Sequence, residues 1–238
     1  MTKTLSKYAL VTLGLTFLLM SNAQLLPPSS SKSSPSPTPS SLGQPSSASN
    51  AILEGVDYQT LQMPQTPESK GKIEVIEFFW YACPHCYDFN PELEAWVKRQ
   101  GKDVVFKRVP IAFREDFLPH SQIFYALEAM GKGDAFNTKV MDAIHKDRKQ
   151  LLKEDEIFAW VDSQQGLDGK GFKAAYKSFS VTTMAKAANQ MGSAYRISGV
   201  PTVAIQGKYI TSPSIANGKE RTIKTMEFLV AKARLEPK

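Results

Sequence analysis

Residues 73–86 of this 238-residue chain, IEVIEFFWYACPHC, carry its strongest structural signal. Its first half, Ile73 to Phe79, is mainly apolar and β-branched, which predicts a buried β-strand. Its end holds Cys83 and Cys86, the two cysteines of the chain, and the apolar spacing after them is typical of a helix. Two thiols separated by two residues at a strand-to-helix junction can alternate between a dithiol and a disulfide.

The positions of the two cysteines predict different roles for them. Pro84 suits the first turn of a helix, where its missing N–H would have no partner. Cys83 then lies at the helix N-terminus, where free N–H groups and the helix dipole stabilise a thiolate, and His85 adds a donor or a positive charge. We therefore expect Cys83 to be the exposed nucleophile, with a pKa below the free value of ~8.5. Cys86, one turn into the helix, is expected to be the buried resolving thiol.

Two other uses of the cysteine pair have weaker support. A zinc site needs four ligands, but the chain has no second CxxC motif, and its three histidines are His85, His120 and His145. A structural disulfide across so tight a loop would constrain little of the unfolded chain and would stabilise the fold little. We expect no metal site and no dissociable cofactor.

The N-terminal segment is typical of an export signal followed by a linker. Lys3 and Lys7 flank the start of a short apolar run, and Ser21-Asn22-Ala23 fits the cleavage rule, so residues 1–23 are predicted to be a signal peptide. The alternative is an uncleaved membrane anchor, although the run is short for a span of ~20 residues. Residues 24–55 are rich in Ser and Pro, which predicts a disordered linker. Both alternatives place the folded part beyond the cytoplasmic membrane.

The remainder, about residues 51–238, is long enough for one domain with a substantial core. The formal net charge of +6 is mild, and the lysines are spread along the chain without an arginine-rich cluster. This distribution gives no support to nucleic-acid binding. The sequence contains no separate dimerisation region, so we expect a monomer.

The predicted elements follow an unusual order. Strands at 73–79 and 104–109 flank a helix at about 84–100, which makes a βαβ unit with parallel strands, and a weaker strand precedes them at 56–61. Helical periodicity then continues until a hairpin at 202–211, and one more helix follows. The order predicts an α/β fold into which a helical block is inserted.

Two further features each allow two interpretations. Val200-Pro201 is expected to be trans on frequency alone, because only ~5–6% of X-Pro bonds in folded proteins are cis. Glu77 lies in the buried strand and Lys107 in the neighbouring one, and a buried carboxylate must be paired or have a raised pKa. Such a carboxylate could accept the proton of Cys86. Alternatively, both charged side chains point to solvent at a strand end.

The segment EFFWYACPHCY at residues 77–87, the Gly199-Val200-Pro201-Thr202 segment and the helical block between them resemble the DsbA family of periplasmic thiol–disulfide oxidoreductases. The resemblance implies a thioredoxin-like α/β fold with an inserted all-helical domain. The implied boundaries are 56–112 and 181–238 for the thioredoxin-like domain and 113–180 for the insertion.

The resemblance also implies site residues. Val200-Pro201 would be cis and would pack against the active disulfide, where a substrate strand would lie alongside it. Glu77 and Lys107 would be a buried charged pair beneath the cysteines. The apolar surface near Trp80 and Tyr81 is expected to contact substrate.

By the same resemblance, the protein would oxidise thiols of secreted or periplasmic proteins through Cys83 and Cys86. A DsbB-like membrane partner would reoxidise it by passing electrons to quinone. One alternative is a reductase or isomerase of the same fold, which the Pro84-His85 dipeptide disfavours. A second alternative is a non-catalytic chaperone or adaptor for unfolded chains.

Overall fold

The computed structural model describes residues 51–236. The predicted signal peptide and nearly all of the predicted linker lie outside the described residues. The strands are β1 (Gln59–Thr60), β2 (Ile73–Phe79), β3 (Val104–Pro110), β4 (Thr202–Ile205) and β5 (Tyr209–Thr211). The helices are α1 (Pro84–Lys98), α2 (Leu118–Ala129), α3 (Gly133–His145), α4 (Glu154–Asp162), α5 (Gly169–Tyr176), α6 (Phe179–Ala194) and α7 (Lys219–Leu235).

The five strands form one mixed sheet in the order β1-β5-β4-β2-β3. Strands β2 and β3 are parallel and α1 connects them, which confirms the predicted βαβ unit. Strand β4 is antiparallel to both β2 and β5. Strand β2 lies between β3 and β4, and all seven of its residues are buried because helices pack on both faces of the sheet.

The predicted hairpin between β4 and β5 is confirmed, and its turn explains one glycine. Gln206 and Gly207 have φ values of 53° and 64°, as the two central residues of a type I′ turn require. A Cβ atom on Gly207 would lie 1.9 Å from the backbone oxygen of Gln65. Only glycine therefore fits both the turn and the close approach of the neighbouring chain.

The two faces of the sheet bury separate apolar clusters. Ile73 and Val75 of β2 pack with Phe89, Leu93 and Trp96 of α1 and with α7. Ile76 and Phe78 point to the opposite face and pack with Ala188 of α6. This alternation follows from the two-residue side-chain period of a strand, and it fixes which β2 side chains lie beneath α1.

Helices α2 to α5 and the start of α6 surround a third apolar cluster, which reaches the cysteine segment. Phe124, Met141 and Phe172 belong to it, and so do Tyr81 and Cys86. Helix α6 runs through the boundary predicted at residues 180 and 181, and it packs against both α2 and β3. Within residues 51–236, none of the helices is both long and apolar enough to cross a membrane.

Candidate active site

Cys83 and Cys86 lie where the sequence pattern places them, between the end of β2 and the first turn of α1. Pro84 is the first residue of α1, and Cys83 directly precedes it. Both cysteines are free thiols in the structure. Cys83 retains only 7% exposure and Cys86 none, so the expected exposed nucleophile is in fact largely covered, although it remains the more accessible of the two.

The surroundings of Cys83 favour its thiolate. Its pKa falls to about 6, chiefly because the Cys86 thiol donates a hydrogen bond to the anion. Burial opposes this shift, whereas the backbone N–H groups of His85 and Cys86 and the charge of His85 support it. Orphan N–H groups at a helix N-terminus stabilise anions in this way.

The surroundings of Cys86 have the opposite effect. Burial raises its pKa, and the neighbouring Cys83 sulfur and the Glu77 carboxylate raise it further. At neutral pH, Cys83 is therefore an anion and Cys86 a protonated thiol. The two sulfurs therefore differ in charge, in the sense expected from their positions at the helix start.

The Val200–Pro201 peptide bond is cis, as the family resemblance implies, and the expectation of trans from frequency alone is wrong. The backbone oxygen of Val200 lies 3.3 Å from the Cys83 Sγ, which donates to it as a thiol. Cys83 and Val200, which are 117 positions apart in sequence, are thus in contact. A groove of about 470 Å³ begins here, and its lining includes the exposed His85.

Glu77 is fully buried, but its partner is not the predicted Lys107. The Arg108 Nε lies 2.9 Å from Glu77 Oε2, and both side chains are buried. Lys107 instead contacts Glu74 at 2.6 Å and Glu68 at 2.9 Å. The pairing of β2 with β3 places Glu77 opposite Arg108 and Ile76 opposite Lys107. Because facing residues of paired strands share a side of the sheet, Lys107 points away from the cysteines.

The buried pair has further polar neighbours. The Arg108 guanidinium lies 3.4 Å from Asn90 Oδ1 and 3.6 Å from Glu94 Oε1, both on α1. Burial raises the pKa of Glu77, although Arg108 opposes this shift. Among the described residues, Glu77 Oε1 has no hydrogen-bond partner. Burial of a carboxyl group favours its protonated form, and the neighbouring cation favours the ionised form.

Arg108 is the site residue that the sequence analysis missed. It is adjacent to Lys107 in sequence. Side chains alternate between the two faces of a strand, so only one of these two basic residues can lie on the same face of the sheet as Glu77. Which of the two does so depends on the register between β2 and β3, which the sequence pattern does not give.

The prediction that Tyr81 contributes to an exposed substrate surface is wrong. Tyr81 has no exposed area and packs on Phe79 and Phe124 inside the third apolar cluster, the one that α2 to α5 surround. Trp80 is half-buried and stacks on Phe117, with 4.4 Å between ring centroids. The turn that leads into Cys83 directs one aromatic side chain inwards, so only Trp80 of this pair borders the surface.

His120 lies behind these aromatic residues and is itself buried. Its Nε2 is 2.8 Å from the backbone oxygen of Gln150, so the ring donates there. Its Nδ1 has no partner among the described residues, and its ring centroid is 5.9 Å from that of Trp80. Burial lowers the pKa of His120 to about 4, so the ring is neutral at pH 7.

His120 should make the protein sensitive to acid. Its pKa in the folded state lies below the ~6.5 of an unfolded chain, so the folded state binds fewer protons. Its contribution to stability is therefore complete above that value and declines as the pH falls towards 4. We expect a loss of about 2 kcal/mol in the free energy of unfolding between pH 7 and pH 5 from this residue.

Urea unfolding of the wild type and of His120→Gln at both pH values checks this expectation. The glutamine side chain keeps a donor for Gln150 but does not titrate, so the loss between the two pH values should shrink by about 2 kcal/mol. Equal losses in the two proteins would show that His120 does not carry the effect.

Within residues 51–236, no group of three or more His, Cys, Asp or Glu side chains is arranged to hold a metal ion. Cys83 contacts the Cys86 thiol and the Val200 carbonyl, and His120 and His145 bond to backbone oxygens. The chemistry that this arrangement supports is thiol–disulfide exchange.

Comparison with known proteins gives the same result. A family model described as DSBA-like thioredoxin domain matches residues 74–224. The thiol:disulfide interchange protein DsbA of Burkholderia cepacia is 46% identical over 181 residues, which is 76% of this chain and 85% of that protein. The protein of that name from Azotobacter vinelandii is 39% identical over 183 residues, 77% of this chain and 85% of that protein.

Solved structures are similar over the same part of the chain. The crystal structure of Pseudomonas aeruginosa DsbA matches with a TM-score of 0.73 at 36% identity, covering 77% of this chain and 95% of that one. The oxidoreductase DsbA from Xylella fastidiosa matches with a TM-score of 0.70 at 28% identity, covering 78% and 99%. The chain is a thiol:disulfide oxidoreductase that belongs to the DSBA-like thioredoxin domain family.

Proposed function

We propose that the protein acts as an oxidase, transferring the Cys83–Cys86 disulfide to thiols of secreted or periplasmic proteins. The observation that carries the proposal is the opposite shift of the two thiol pKa values, lowered to about 6 at Cys83 and raised at Cys86. A stabilised Cys83 thiolate favours the reduced protein, and a pair that favours its reduced form oxidises others.

The exchange proceeds in two balanced steps. A substrate thiolate attacks the Cys83 sulfur, the Cys83–Cys86 bond breaks, and its electron pair passes to the Cys86 sulfur, which takes up a proton. A second substrate thiolate then attacks the substrate sulfur of the mixed disulfide and releases the Cys83 thiolate. Two electrons thus move from the substrate to the protein, and the substrate gains one disulfide.

Glu77 is the group best placed to supply or accept the Cys86 proton. It is fully buried, and its charge affects the pKa of Cys86. Burial keeps its own pKa raised, while Arg108 stabilises the ionised form.

The groove beside the cysteines is the proposed path for the substrate chain. Val200 and Pro201 line it together with His85, and the Val200 carbonyl contacts Cys83 Sγ. An extended substrate segment lying along Val200-Pro201 would bring its cysteine to Cys83.

Renewal of the disulfide needs an external oxidant. The family membership favours a DsbB-like membrane protein that passes the two electrons to a quinone. The predicted signal peptide favours export to the periplasm, where this partner would be reached. A monomer suffices for each of these steps.

The non-catalytic chaperone is the weaker alternative, because Tyr81, one of the two aromatic residues of its expected binding surface, is buried. A reductase or isomerase shares the fold and differs in the direction of electron transfer.

The test of the oxidase proposal mixes oxidised protein with a reduced, unfolded substrate protein, with oxidised glutathione as renewing oxidant. Substrate disulfides should form at a rate proportional to the amount of protein. Disulfide formation that is no faster than in a protein-free control would contradict the proposal.

A further inference from the structure

The turn formed by residues 80–83, which leads into the Cys83-Pro84-His85-Cys86 motif, is next to both sulfur atoms. The Cys83 N–H donates to the Trp80 carbonyl at 3.0 Å, which closes a β-turn with Tyr81 and Ala82 at its centre. Cys83 is the last residue of this turn. The backbone N–H of Trp80, its first residue, faces the Cys86 sulfur and favours the Cys86 anion. A tilt of this turn would therefore change the surroundings of both thiols.

A side chain from the helical block holds the centre of the turn. The His145 Nε2 lies 2.9 Å from the Tyr81 carbonyl oxygen. Because a carbonyl can only accept, this nitrogen carries the hydrogen and donates it. His145 is the last residue of α3 and is half-buried. The sequence gives no sign of this contact, since 64 positions separate the two residues.

The same helix also contacts the chain after the motif. The Tyr87 hydroxyl donates to Asp142 Oδ1 at 2.8 Å, one helical turn before His145. The rings of Tyr87 and His145 stack with 4.6 Å between centroids and 14° between planes. Helix α3 therefore contacts the chain two residues before Cys83 and directly after Cys86.

We propose that His145 is a positioning residue for thiol–disulfide exchange, whose Nε2–H fixes the turn of residues 80–83 so that Cys83 and the Trp80 N–H keep their places at the two sulfurs. The inference rests on the redox role of Cys83 and Cys86. His145 acts through the Tyr81 carbonyl and does not itself touch a sulfur atom. The helical block thereby tunes a centre whose cysteines lie in the thioredoxin-like part.

Two substitutions separate the hydrogen bond of His145 from its ring stacking. His145→Phe keeps an aromatic ring on Tyr87 but loses the donor, whereas His145→Gln keeps a donor but loses the ring. The glutathione redox equilibrium and the pKa of the Cys83 thiolate, followed by its ultraviolet absorbance, are measured for both variants. Thermal unfolding of each variant reports stability separately.

We expect His145→Phe to shift the glutathione equilibrium constant by about threefold to tenfold towards the oxidised protein, the size of effect that one lost hydrogen bond produces. Its Cys83 pKa should rise accordingly. His145→Gln should stay within about twofold of the wild type. The Ala82 amide signal in a ¹H–¹⁵N spectrum should move in the phenylalanine variant only, because its peptide group contains the Tyr81 carbonyl.

Tyr87→Phe is the matched control, because it removes the bond to Asp142 and keeps the stack on His145. It should lower thermal stability without moving the redox equilibrium. The proposal is overturned if His145→Phe matches the wild-type equilibrium and pKa, or if the phenylalanine and glutamine variants shift equally. Should His145→Phe fail to fold, His145→Leu removes the same donor with a smaller side chain, and the same outcomes apply. Loss of all exchange in Cys83→Ser tests the proposed function independently of His145.

Discussion

Replacing Cys83 with serine is expected to reduce disulfide formation in a substrate protein to the uncatalysed rate. A serine oxygen forms no disulfide, so neither the mixed disulfide nor the Cys83–Cys86 bond is available to Cys83→Ser. The fold should persist, because serine is close in size to cysteine and its hydroxyl can keep the contact of Cys83 Sγ with the Val200 carbonyl. The measurement is the rate at which a reduced, unfolded protein gains disulfides.

Cys86→Ser is the matched variant, because it keeps the low-pKa nucleophile and removes the resolving thiol. The Cys83 thiolate should then attack oxidised glutathione, release reduced glutathione and form a mixed disulfide that persists, since Cys86 is no longer present to release it. Non-reducing electrophoresis and mass spectrometry show these adducts. Adducts in Cys83→Ser but not in Cys86→Ser would reverse the assigned roles, and full activity in either variant would exclude exchange through this pair.

Replacing Arg108 with methionine is expected to lower the free energy of unfolding by about 3–5 kcal/mol near pH 8, the usual cost of removing one partner of a buried ion pair. Arg108→Met leaves the fully buried Glu77 without its closest cation. The pKa of Glu77, already raised by burial, should rise further. A carboxyl group with a raised folded-state pKa destabilises the fold above its unfolded value of ~4.3 and ceases to do so below it. The loss should therefore shrink as the pH falls towards 5.

Urea unfolding at several pH values measures this loss of stability, and two further variants serve as controls. Glu77→Gln combined with Arg108→Met removes both charges and should recover most of the lost stability at high pH. Lys107→Met should cost less than Arg108→Met, because Lys107 is one-third exposed and Glu74 keeps its bonds from Ser69. A cost of Arg108→Met that does not depend on pH, or that persists unchanged in the double variant, would contradict the assigned pair.

Local sequence signals were sufficient for the centre of the site. A proline after Cys83 and a strand before it place that sulfur at a helix N-terminus, and the structure has it there. The order of strands and helices likewise predicted the parallel βαβ unit and the final hairpin. These features depend on residues that are neighbours in the chain, so composition and spacing describe them well.

Features that depend on contacts between distant elements were not predictable in the same way. Lys107 and Arg108 are adjacent in sequence but lie on opposite sides of β3, so one position of register decides which of them meets Glu77. A tyrosine side chain can lie in an apolar surface patch or in a core. Tyr81 lies in the core because it packs against Phe124 of α2. The cis Val200–Pro201 bond followed from family resemblance and not from frequency.

The histidines of the helical block show the same limit. His120 and His145 have the spacing of ordinary helix residues, and neither lies in a motif. Their importance comes from the packing of α2 and α3 against the turn before Cys83. Only the folded arrangement shows that one is kept neutral by burial and that the other holds a backbone carbonyl.

The redox potential of the Cys83–Cys86 pair tests the oxidase proposal most directly. The purified protein is equilibrated in glutathione buffers, and its reduced fraction is followed by Trp80 fluorescence or by thiol alkylation. Stabilisation of the Cys83 thiolate predicts a strongly oxidising potential, near the ~−120 mV of DsbA itself, a value carried over from the family. A potential near the ~−270 mV of thioredoxin would contradict the proposal and would make the protein a reductant.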